Sequence, residues 1–308
     1  MSMDEQERRR HLETLQATPA RLKGALKGLP KKLLAWRPAP GKWSILEIVC
    51  HLRDMEREAY LARYRRILAE DNPLLPDIDG DVIALERDYR GQRLGAAVAD
   101  WSKARRECLK LLKGVRGEKW QRHGTHQSAG RLSMEDFLRR HALGNDAAHL
   151  EQIEAIKRRF AILTRLESAP GALAAATKGL PAERARTRPA DGKWSVVEIA
   201  CHLRDVEQVF AERFTKMAFS ERPSFWMMDN GRMASLRSYH EAELAASVKA
   251  FRQAREETLT LLRALPLPTW QRTGLHPRRG EVTLEVLADV LASHDASHLA
   301  RIRELAAC

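Results

Sequence analysis

Three histidines in the C-terminal half of the chain have the types and spacing of a metal centre. His294 and His298 lie four residues apart in LASHDASHLARI, so on a helix their imidazoles stand one turn apart on the same face and can share an ion. His202, in EIACHLRDVE, falls between Ile199 and Val206 at the edge of the buried face of another helix. With those two helices adjacent, three nitrogens bind one side of a cation and leave positions open to water or substrate. Imidazole suits zinc, nickel, iron or copper. An isolated H-x-x-x-H pair is weak evidence, because a single histidine on an apolar face is more often a core residue. Three at interior positions, one of them repeated elsewhere in the chain, favour ligands.

That repetition extends to the whole chain. Residues 27–56 recur at 178–207 with 19 of 30 positions identical and no gap, and Trp120-Gln121-Arg122 reappears as Trp270-Gln271-Arg272. A period of about 150 residues is a domain length and far exceeds the roughly 20–50 residues of solenoid repeats. The chain therefore reads as a tandem duplication, with domains at 1–159 and 160–308.

Each copy reads as four long helices. The first, about 8–28 and 160–179, ends in Lys-Gly-Leu-Pro, a glycine cap followed by a proline stop. The second opens at a capping box, Ser44-x-x-Glu47 or Ser195-x-x-Glu198. The third spans about 83–114 and 234–265, after an irregular Pro-bearing stretch. The fourth starts at Ser133 or Thr283, and its stripe Leu284, Leu287, Leu291, His294, His298, Ile302 keeps one face inward. No strand-like alternation of useful length is visible. The fold class expected is all-α, two four-helix bundles with almost no linker, packed as a pseudo-dimer within one chain.

The series P-x-x-GKWS-x-x-E-(I/V)-x-x-HL-x-D-x-E, a mid-domain helix carrying Arg105 or Arg255, and a last helix with HD-x-x-HL-x-x-I together resemble the DinB/YfiT-like superfamily, once per half. The resemblance implies bundles of up-down-down-up topology with a divalent metal (zinc, nickel or iron) held by one histidine of helix two and two of helix four. Matched residue by residue, His202, His294 and His298 carry the full triad. It also implies metal-dependent hydrolysis, or transfer of a low-molecular-weight thiol, on a small-molecule substrate. Copy one departs from the pattern: His51 and His149 match, but Asn145 stands where copy two has His294. His141, one turn earlier, is a candidate to complete that site; the alternative is a copy that keeps the fold without the metal. Copy one also has one more residue between Ser133 and His149 than copy two has between Thr283 and His298, which points to a shifted helix start or loop.

Several other repeated residues admit two readings. Asp54 and Asp205 either orient an imidazole N–H or form interhelix salt bridges. Asp205 and Glu207 are the candidates for a general base. Arg105 and Arg255 either meet an anionic substrate or pair with Glu56 and Glu207. Trp43 and Trp194 are expected to plug the bundle end, and His126 and His276 to sit in a solvated loop.

Composition bounds the rest. At 44% hydrophobic and 31% charged the chain is ordinary globular protein. A polar start without an apolar leader core, and no run of about 18 apolar residues, point to a cytoplasmic protein with no membrane span. Cys50, Cys108, Cys201 and Cys308 form no disulfide or zinc framework, and Cys50 and Cys201 read as buried helix thiols. The net charge of +12 is spread through helices among 41 acidic residues, which supports weak polyanion attraction and no specific nucleic-acid partner. A non-catalytic metal-binding or interaction protein is the competing class, and the loss of one triad histidine in copy one fits it.

Overall fold

Ser44 and Ser195 start the second helix of each copy as a capping box should. Each backbone N–H donates to the carboxylate three residues on, at 2.8 Å (Glu47) and 2.9 Å (Glu198), while the serine Oγ accepts from that residue's own N–H. Arg37 and Arg188 close over those carboxylates. Burial works to raise the Glu47 carboxyl, and Arg37 with Ser44 outweighs it, holding it at about 2.

The computed structural model describes residues 3–307. The chain forms two units, one up to Lys157 and one from Arg158 on. In the first, helix one is Glu5–Leu26. Helix two runs Ile45–Asp54, through a π turn at Met55–Leu61, to Ala62–Ala69. Helix three is Leu94–Lys113, and helix four is Met134–Arg140 continued by a π turn, His141–Asn145. It then enters Asp146–Thr177, a single helix that also supplies helix one of the second unit. Helices two, three and four of that unit are Val196–Phe219, Leu244–Ala264 and Leu284–Ala307.

Side-chain pairs give the direction of each helix in the first unit. Arg8–Glu135 (2.6 Å) and Arg139–Glu7 (3.4 Å) join the starts of helices one and four, which run the same way. Arg53–Gln92 (3.4 Å) lies near the start of helices two and three, and Arg65–Glu107 (3.3 Å) lies further along both. Helices two and four run oppositely: His51 meets His149, whereas Tyr64, later in helix two, meets Phe137, earlier in helix four. The topology is up-down-down-up. In the second unit the expected stripe is interior, with Leu284, Leu287, Leu291 and Ile302 fully buried.

The third element differs from the expected continuous helix. Gly80–Glu86 and Asn230–Leu236 are separate short helices, followed by 3-10 turns at Tyr89–Gly91 and Tyr239–Glu241 before helix three proper. Asp88 and Ser238 adopt left-handed φ of 43° at the break, and the next residue, Tyr89 or Tyr239, turns inward and is buried. Short strands also precede helix four: His123–His126 pairs with Gly130–Ser133, and Thr273–His276 with Gly280–Thr283. Four-residue strands are too short for an alternation signal. His126 and His276 therefore stand on strands, and His126 lies 3.3 Å from Asp77.

The extra residue of copy one shifts neither helix start nor loop. The hairpins match, Ser133 caps helix four in place, and the surplus residue is taken up by the π turn at His141–Asn145. Helix two repeats the pattern. Its caps, Ser44 to Glu70, span one residue more than Ser195 to Ser220, and the π turn at Met55–Leu61 absorbs it, where copy two is regular α-helix.

Candidate metal centre

Helix two presents His202 to helix four, which presents His294 and His298 from successive turns. Nε2 of His202 and Nε2 of His294 are 3.0 Å apart. The ring centroids are separated by 5.0, 4.9 and 4.4 Å for the pairs 202–294, 202–298 and 294–298. One nitrogen from each ring lies within 4.8 Å of the other two. His202 is buried, while His294 and His298 are partly exposed, so the cluster opens on the helix-four side.

The donor set fits a cation. Burial, then the charges of His294 and His298, pushes the His202 imidazole down to about 3. Burial and His294 bring His298 to about 4. Both rings are therefore neutral near pH 7, with a lone pair free for a metal. The Nδ1 atoms of His202 and His294 are buried without a hydrogen-bond partner. Nδ1 of His294 faces the Asp295 carboxylate at 3.8 Å.

Asp205 does not orient an imidazole. It accepts from Tyr239 Oη (2.7 Å), Arg204 Nε (2.7 Å) and Arg237 Nη1 (2.8 Å). Asp54 is held the same way by Tyr89 and Arg53. Glu207 is bound to Arg255, with its other oxygen, Oε1, buried and unpartnered. Arg255, fully buried, also meets Asp295 at 2.7 Å and donates to the Leu166 carbonyl at 2.9 Å, so it is an internal ion-pair residue and does not face a substrate. Arg105 does the same with Glu56, Asp146 and Leu15.

In copy one, His51 and His149 keep their relation, with centroids 5.0 Å apart. Burial and His149 bring the His51 imidazole to about 4. His141 does not join them. It is fully buried with Nε2 2.8 Å from Glu56, its ring stacked on Tyr60 at 3.7 Å. The remaining pair is crowded: a Cβ at Gly80 would come within 2.9 Å of the His51 ring.

The sequence reading gave Trp43 and Trp194 to the bundle end and passed over Asp295. Trp194 lies 4.8 Å from His202 and Trp43 lies 4.6 Å from His51, so these indoles wall the histidine cluster and do more than plug a bundle end. Asp295 links the centre to Arg255. Its signal was its recurrence as Asp146 in copy one, where the neighbouring histidine is replaced and the aspartate is kept.

A family model described as the DinB superfamily matches residues 14–153 and again 165–302. A relative from Bacillus subtilis (strain 168), named "Putative metal-dependent hydrolase YfiT", is 27% identical over 141 residues, 46% of this chain and 79% of the relative. The solved structure of YfiT, described as a four-helix bundle of unusual topology, superposes with a TM-score of 0.48 at 20% identity, over 52% of this chain and 91% of that one.

Proposed function

The chain belongs to the DinB superfamily, and we propose that it is a metal-dependent hydrolase of a small-molecule substrate whose working centre is the histidine cluster of the second unit. The observation that carries this reading is the convergence of His202, His294 and His298, one ring nitrogen of each within 4.8 Å of the others, at an opening between helices two and four. A divalent ion such as zinc, nickel or iron bound there supplies Lewis acidity to a substrate oxygen or a water molecule. The protein holds the rings by burial, by the Trp194 wall and by the Asp295 carboxylate behind His294. Asp205 and Glu207, committed to arginines and a tyrosine, position these elements in this reading and do not exchange protons with substrate. The name of the relative favours hydrolysis over transfer to a thiol.

The test is metal analysis of the full chain beside a His202→Ala/His298→Ala variant, with ester, amide and thiol-conjugation panels run on both. Metal in the parent, one equivalent less in the variant and metal-dependent ester or amide cleavage support the proposal. Unchanged metal content in the variant overturns the assigned ligands, and turnover confined to the thiol panel overturns hydrolysis.

A further inference from the structure

Copy one has a second cluster of donors that copy two lacks. Glu56, Cys108 and His141 are all buried, with one carboxylate oxygen, the sulfur and one ring nitrogen within 4.8 Å of each other. The positions that surround the cluster differ between copies. Tyr60, Tyr64, Cys108 and His141 correspond to Phe210, Phe214, Thr258 and Leu291, so a polar group in copy one is replaced by three apolar side chains and a threonine in copy two. The two extra residues of copy one fall in the same place, since the π turns that absorb them, Met55–Leu61 and His141–Asn145, carry Glu56 and Tyr60 on one side and His141 on the other. Local π turns inside α-helices are frequent at functional sites.

Charge points the same way. Glu56 and Asp146 share the single guanidinium of Arg105, at 2.7 Å each, and Glu56 also meets His141 Nε2 at 2.8 Å, so two carboxylates outnumber the one permanent cation of a fully buried site. Glu56 Oε1 and Asp146 Oδ1 are also buried without a partner. In copy two the matching excess, on Glu207 and Asp295 around Arg255, lies beside the histidine centre. Copy one has Asn145 at that place, so its excess has no cation site next to it.

We propose that Glu56, Cys108 and His141 form a structural site for a thiophilic divalent cation of the zinc class, independent of the His202 centre. Binding forms the S–metal bond, breaks the Cys108 S–H bond and releases that proton to solvent. The thiolate and two carboxylates then balance the cation and Arg105, and the buried network becomes neutral. Arg105 keeps Asp146 and the Leu15 carbonyl and gives up its contacts with Glu56 and His141. Bonds of about 2.0–2.3 Å place tetrahedral ligands roughly 3.5 Å apart, a contraction that rotation about the Glu56 side-chain torsions would supply. Because the donors are buried, the ion is acquired as the chain folds.

The test uses full-length chains purified from zinc-supplemented cells. The His202→Ala/His298→Ala variant should retain one zinc per chain, and cobalt-grown protein of that variant should show a thiolate-to-cobalt charge-transfer absorption. Adding Cys108→Thr and His141→Leu, the residues of copy two, should remove both signals. A metal-free His202→Ala/His298→Ala variant overturns the proposal, as does retained metal without the thiolate absorption. The cobalt spectrum needs no change in the cluster, so the proposal stays testable if the Cys108/His141 variant fails to fold. Failure of the His202 centre is read separately, as zinc that persists at the parent level when His202 and His298 are removed.

Discussion

Arg255 shows how a buried charge sets what a single substitution does. Both its carboxylate partners are buried, so Arg255→Met leaves two anions facing an apolar neighbour and should cost about 3–5 kcal/mol in chemical denaturation, even though the methionine fills much of the space. The histidines act with a definite sign. Their folded values, about 4 for His51, 3 for His202 and 4 for His298, lie below the ordinary 6.5, so the unfolded chain takes up protons first as pH falls. Chelator-treated protein should therefore hold its full histidine contribution above pH 6.5 and lose it progressively toward pH 3–4, read as a falling thermal midpoint between pH 7 and pH 4. At this scale the triad was legible, because i, i+4 spacing and a duplicated His202 equivalent are visible in one dimension. The Trp194 wall was not, since a tryptophan before a helix cap packs on whatever the tertiary fold brings beside it.

Helix starts were the most legible elements and interruptions the least. Ser195→Ala removes the side chain that accepts the Glu198 N–H, and it should destabilise the protein by about 1 kcal/mol in equilibrium unfolding without altering the helical circular dichroism. The capping box is local, so its four residues announce it. The break before helix three is also local in cause, one left-handed residue at Asp88 or Ser238, but neither residue type advertises that conformation strongly. The hairpins fail for the opposite reason: their strands are too short to show a period of two, and the register comes from pairing across Gly130 and Gly280. Surplus residues in copy one could be counted from the alignment of the halves. Their placement inside helices two and four could not, because the choice of turn that takes the extra residue is made by tertiary packing.

At the scale of the whole chain, the duplication has left two bundles with different contents: an opening with three imidazoles in one, and a pair under Gly80 with a buried Glu-Cys-His group in the other. Asn145→His returns the missing ring of the first copy, and metal analysis of the full chain should find one more equivalent than in the parent. The bundle architecture and the repeat were legible before any coordinates, because helical periodicity persists over 20 residues and is written twice. The boundary between copies is of another kind. The chain passes from Lys157 to Arg158 in the middle of the helix Asp146–Thr177. A gene cut there yields two polypeptides with raw helix ends, one bearing up to four carbonyls and the other up to four amides that have lost their partners and have no cap to replace them. The two copies are in that sense joined without a seam, for a cut there frays the last turn of one piece and the first turn of the other.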